Sequence, residues 1–89
     1  MQSNYAKWAE ILKTLGHPIR IRILESLMDK EKCVSNIWAH LDLPQSTVSQ
    51  HLSLLRSKGI VQHERSGSKV NYFVRDKRIQ EIIKLIKSK

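Results

Sequence analysis

Apolar residues recur at spacings of three and four along most of this chain, and that spacing gives way to alternation between Gly59 and Asp76. Tyr5, Trp8, Leu12 and Leu15 form one helical stripe, predicting a helix from Asn4 to Thr14 that Gly16 ends. A second helix is expected from His17 to Met28. Pro18 suits its first position, where a missing N–H costs nothing, and Ile19, Ile23, Leu24 and Leu27 face inward. Arg20 and Arg22 lie off that face, and Asp29-Lys30-Glu31-Lys32 is read as a polar connector. Ile37, Trp38 and Leu41 give a short helix over 34–41, broken by Asp42-Leu43-Pro44 because proline disfavours a helical residue before it. Val48, Leu52 and Leu55 predict a fourth helix from Gln45 to Lys58, capped by Gly59. Alternation then replaces helical spacing. Ile60 to Arg65 and Val70 to Val74 are expected strands, joined by the turn Ser66-Gly67-Ser68-Lys69. A last helix runs from Asp76 to Lys87 with Ile79, Ile82, Ile83 and Ile86 on one face. The expected fold is mostly α with a small β-hairpin, in the order α-α-α-α-β-β-α, as a single domain over 1–89.

The middle of this order, helix, tight turn, helix and then a hairpin, is that of a winged helix-turn-helix, with the helix-turn-helix at 34–58 and the wing at 60–75. A recognition helix needs an apolar face to hold it and a short polar face to enter the major groove. Ser46, Ser49, Gln50 and Ser53 fall at i, i+3, i+4 and i+7, opposite Val48, Leu52 and Leu55. Glutamine bonds bidentately to adenine, and serine or threonine donates to or accepts from several bases. An ordinary solvated helix shows a similar face. The hairpin separates the two readings, because Arg65, Ser66, Gly67, Ser68 and Lys69 put cations, hydroxyls and backbone N–H groups at an exposed tip, as phosphates require. The DNA-facing set is therefore Gln45, Ser46, Thr47, Ser49, Gln50, His51, Ser53, Arg56 and Lys58 from the helix, with 65–69 from the wing.

Charge supports a polyanionic partner: 16 Lys and Arg against 8 Asp and Glu give a formal net charge of +8. Double-stranded DNA is the expected partner, and no membrane is. No segment reads as a signal peptide or reaches the roughly 20 apolar residues that span a bilayer. With a lone cysteine, the expectation is a cytoplasmic protein.

The matching pieces Leu15-Gly16-His17-Pro18-Ile19-Arg20, the run Pro44 to Leu52, Leu54-Leu55-Arg56, Gly59-Ile60-Val61 and the wing resemble the ArsR/SmtB family of bacterial winged-helix repressors. The resemblance covers nearly the whole chain. It implies a homodimer that binds an imperfect inverted repeat near its own promoter and lets go on a cellular signal.

Two metal sites of that family are incomplete here. Its Cys-Val-Cys box is Cys33-Val34-Ser35, and serine is a poor soft-metal ligand. Its site on the last helix keeps Asp76 and Glu81 but has no histidine, and Arg78 adds a like charge. His17, His40, His51 and His63 are scattered. No metal and no cofactor are therefore expected. If the chain senses a signal itself, Cys33 is the candidate redox sensor, because a thiol ahead of a helix and beside Lys32 is drawn toward thiolate.

The stripe Tyr5, Trp8, Leu12, Leu15 and the stripe Ile79, Ile82, Ile83, Ile86 together exceed what one 89-residue core can cover. The helices at 1–15 and 76–89 are therefore expected to pair two copies. A metal-responsive repressor and a non-specific architectural protein are the alternatives, and a winged helix that binds only protein is a third. An enzyme is not expected: the chain has no Gly-rich phosphate loop, nucleophile elbow or paired carboxylates in an apolar setting.

Overall fold

The computed structural model describes residues 2–29 and 32–87. Five helices and three strands follow in the order α1 Gln2–Leu15, α2 Pro18–Asp29, β1 Lys32–Cys33, α3 Val34–Leu41, α4 Gln45–Ser57, β2 Gln62–Ser66, β3 Lys69–Phe73 and α5 Lys77–Lys87. Helix α2 runs through the centre and touches α1, α3, α4, α5 and β3. Ile23 and Leu24 of α2, Ile37 of α3, Val48, Leu52 and Leu55 of α4, Ile60 and Val61, and Ile79 and Ile83 of α5 share one core with Ile11 and Leu15 of α1.

The ends of α2, α4 and α5 explain where each starts or stops. His17 precedes α2, and its Nδ1 accepts the Ile19 N–H at 3.1 Å, a side-chain cap that leaves Pro18 at the first helical position. At the far end of α4, Gly59 N–H donates to the Arg56 carbonyl at 2.9 Å and Ile60 N–H to the Leu55 carbonyl at 2.9 Å. That pair of bonds is a Schellman motif, and Gly59 supplies its left-handed residue at φ 76°. Ahead of α5, the Asp76 carboxylate accepts from the N–H groups of Arg78 at 2.8 Å and Ile79 at 3.4 Å. Burial opposes ionisation of Asp76, but these bonds and the Arg78 guanidinium outweigh it and hold the carboxyl below its ordinary range.

Two expectations are corrected. The wing strand begins at Gln62 rather than Ile60, because the Ile60 and Val61 N–H groups turn back to Leu55 and both side chains are buried instead of alternating. A third strand also exists: β1 pairs with β3, Lys32 opposite Tyr72 and Cys33 opposite Asn71, giving the sheet order β1-β3-β2. Lys32 therefore belongs to the sheet and not to a connector, while the connector residues Lys30 and Glu31 lie outside the described residues.

Candidate nucleic-acid interface

The turn between α3 and α4 is built on one strained residue. Asp42 sits at φ 58°, the left-handed region that a short polar side chain tolerates best after glycine. Its N–H donates to the Ala39 carbonyl and that of Leu43 to the Trp38 carbonyl, closing α3 as Gly59 closes α4. Half-buried Leu43 packs on the core, and extended Pro44 (φ −60°, ψ 144°) delivers the chain into α4. No side chain caps the first turn of α4, and no acidic residue occupies it. That end keeps its positive dipole for a ligand.

Val48, Leu52 and Leu55 are almost fully buried, which fixes the rotation of α4 about its axis. The opposite side carries exposed Gln45, Ser46, Gln50, Ser53 and Arg56, with Thr47, Ser49 and His51 half-buried along its flank. The structure thus brings the sequence-predicted polar face together as one surface.

The wing follows at once. Ser66 pairs with Lys69 and Arg65 with Val70, leaving Gly67 and Ser68 as a two-residue loop. Gly67, at φ 65°, occupies the first loop position, where a type II′ turn requires glycine. Glu64, Arg65, Ser66, Gly67, Ser68 and Lys69 are all exposed. Arg56 Nη1 lies 3.1 Å from His63 Nε2, joining the end of α4 to the foot of the wing. Lys58 turns away from this surface: its Nζ donates to Glu10 Oε2 at 3.1 Å, which places it at the junction of α4 with α1. The hydrogen bond to Lys58 and its charge hold the Glu10 carboxyl below its ordinary range.

Several polar contacts in this half of the molecule had no signal in the sequence. Arg22 reaches from α2 to the Leu41 carbonyl at 3.1 Å, at the end of α3. Arg20 bonds both the Thr14 carbonyl and His51. Two arginines off an apolar face look solvated until the neighbouring helices are in place.

Comparison with known proteins now decides the family. The sequence pattern of the bacterial regulatory proteins of the arsR family matches residues 17–63, from the cap of α2 into the wing. The chain belongs to the arsR family. An uncharacterised HTH-type transcriptional regulator of Methanocaldococcus jannaschii is 42% identical over 84 residues, 93% of this chain and 94% of its own. The crystal structure of the Bacillus anthracis transcriptional repressor PagR superposes with a TM-score of 0.91 at 38% identity, covering 97% of this chain and 99% of PagR. HlyU of Vibrio cholerae, a transcriptional activator, superposes with a TM-score of 0.89 at 34% identity, over 97% and 94% of the two chains. This arsR-family chain is thus a winged helix-turn-helix transcriptional regulator, as its sequence implied.

Placement divides the two expected dimer stripes. Leu15, Ile79 and Ile83 lie inside the core at 4%, 1% and 0% exposure and have no surface to offer a second copy. Helical rotation puts Ile11 beside Leu15 and leaves the stripe's other members outside. Tyr5 (77%), Leu12 (52%), Ile86 (51%) and Leu85 (76%), the last unremarked in the sequence, are exposed, and Trp8 and Ile82 are half-buried. A groove of about 600 Å³ between α1 and α5 is lined by Asn4, Tyr5, Trp8, Leu12, Arg78, Glu81 and Ile82. The Arg78 guanidinium lies 4.5 Å above the Trp8 ring. Asp76, one survivor of the family's metal site, spends its carboxylate on the cap of α5. Among the described residues no three His, Cys, Asp or Glu side chains gather, and no helix is long and apolar enough to cross a membrane. Cys33 lies in β1 directly before α3; its side chain, on which the redox expectation rests, lies outside the described residues.

Proposed function

We propose that this protein is a homodimeric repressor that binds an imperfect inverted repeat in double-stranded DNA, working in the cytoplasm where that DNA lies. The observation that supports the reading is an uncapped α4 with an exposed polar face, followed in the chain by an exposed basic tip at 65–69 whose foot is joined to the end of α4 through Arg56 and His63. Gln45, Ser46, Ser49 and Gln50 read base edges in the major groove, with Thr47 and Ser53 beside them. Arg65 and Lys69, with Ser66, Gly67 and Ser68, hold the phosphate backbone; Arg56 supports the wing from the end of α4. A second copy covers the apolar α1–α5 face through Tyr5, Trp8, Leu12, Ile82, Leu85 and Ile86. Occupancy of a promoter repeat by such a dimer blocks transcription without catalysis or any cofactor.

Selection from a pool of random-sequence duplexes tests this, with sedimentation of the recovered complex. The expected product is an inverted repeat whose half-site centres lie one helical turn apart, about 34–36 Å, or a multiple of it, bound by two protomers. Equal competition by unselected DNA would leave the architectural alternative standing. A monomer at micromolar concentration, alone and on DNA, would overturn the dimer.

A further inference from the structure

Between the recognition helix and the centre of the molecule lies a polar cluster that base reading does not require. Arg20 of α2 donates from Nη1 to the Thr14 carbonyl at 2.9 Å, in the last turn of α1, and from Nε to His51 Nδ1 at 3.2 Å, midway along α4. The His51 ring packs on the His17 ring, centroids 4.6 Å apart and planes tilted by 58°. His17 Nδ1 is itself occupied, accepting the Ile19 N–H. Each imidazole thus spends its Nδ1 lone pair as an acceptor. All three side chains are half-buried. One guanidinium therefore joins α1, α2 and α4.

We infer that Arg20 is a positioning residue which fixes the recognition helix against α1, and that a proton on His51 releases this latch and lowers DNA affinity. This rests on the DNA-binding reading above, and it moves His51 from the DNA-facing set to the support of that set. The chemistry is a competition for one lone pair. A proton arriving at His51 Nδ1 takes the site that the Arg20 Nε–H uses, and it adds a second positive charge beside the guanidinium. Burial, His17 and Arg20 all disfavour that charge, and they hold His51 below the ordinary histidine range. The groups acting on His51 are His17, just ahead of α2, and Arg20 of α2. The charges of α1, Glu10 and Lys13, form a separate cluster with Lys58, two turns further along α4. The latch is therefore closed at neutral pH. Its contribution is full above the ordinary histidine value of about 6.5 and falls away as pH drops from there toward the lowered value of the folded protein. Because α1 also forms half of the apolar face, the latch ties the attitude of α4 to the element that sets the spacing of two copies.

A phosphate contact from His51 would respond with the opposite sign, since protonation would strengthen it. The test compares wild type with His51→Gln, whose amide oxygen can accept from Arg20 without titrating. Affinity for the tightest duplex recovered from the random pool is measured by fluorescence anisotropy at pH 7.5 and 5.5. The expected result is that the wild type loses affinity between pH 7.5 and 5.5 relative to the Gln variant, by at most about tenfold for each unit by which duplex binding lowers the His51 value further. A relative gain would make His51 a phosphate ligand, and equal responses would remove the proton switch. Arg20→Met should weaken binding at pH 7.5 with the salt dependence unchanged, whereas a slope lower by about one would make Arg20 a phosphate ligand instead. A DNA-free arm follows the His51 ring by NMR: its midpoint should lie below 6.5 in wild type and rise in Arg20→Met. An ordinary midpoint in wild type would overturn the latch even if DNA binding stands. A depressed, Arg20-dependent midpoint in a chain that binds no duplex would sustain the latch and overturn the DNA reading.

Discussion

Helix α4 sets Val48, Leu52 and Leu55 into the core, and α5 sets Ile79 and Ile83 into the same core. Their inward faces are interchangeable in kind. Their outward faces are not: α4 shows Gln45, Ser46, Gln50 and Ser53, whereas α5 shows Leu85 and Ile86 among its lysines. Their entrances differ in the same sense. Asp76 caps α5 with its carboxylate, while α4 begins at Pro44 with no side-chain cap. Burial accounts for where both helices sit. The two helices differ on the side the core does not use, one polar and the other apolar.

The largest expected effect separates the two sides of α5. Ile83→Ala removes a fully buried side chain and should cost about 2–5 kcal/mol of folding stability, read by denaturant unfolding. Leu85→Asp combined with Ile86→Asp should retain the helical circular dichroism of the wild type yet sediment as monomers at micromolar concentration. If the double variant stays dimeric, the outward face of α5 is not an interface.

A smaller effect tests the entrances. Asp76→Ala should destabilise by about 0.5–2 kcal/mol through loss of the α5 cap. Because the Asp76 carboxyl titrates below its ordinary range, its contribution is present above that range and is lost as pH falls through the lowered value. The wild type should therefore lose its advantage over Asp76→Ala on acidification. An advantage that persists in strong acid would mean the carboxylate is not the cap.

Much of this was readable from residue order because it is local. The spacing of Val48, Leu52 and Leu55 sets the face of α4, Gly67 marks the hairpin, and Gly59 ends the helix before it. What escaped the sequence depends on partners far along the chain. β1 is two residues long, too short to show alternation, and exists because β3 offers a free edge some 40 residues on. Ile60 and Val61 look like alternating strand positions, but their N–H groups finish the α4 cap. Leu15, Ile79 and Ile83 share stripes with surface residues, and a stripe does not say which of its members the core takes. Arg20 and His51 are 31 residues apart, and only packing brings their polar atoms together.

On the function proposed above, α4 reads sequence while the wing holds the backbone. The most direct measurement titrates Gln50→Ala and Lys69→Ala against the selected duplex and a scrambled one over a range of salt concentrations. Gln50→Ala should lose about 1–3 kcal/mol on the selected duplex and almost nothing on the scrambled one, with the salt slope intact. Lys69→Ala should weaken both duplexes alike and reduce the slope by about one. Equal losses from both variants on both duplexes would contradict the division of labour between recognition helix and wing.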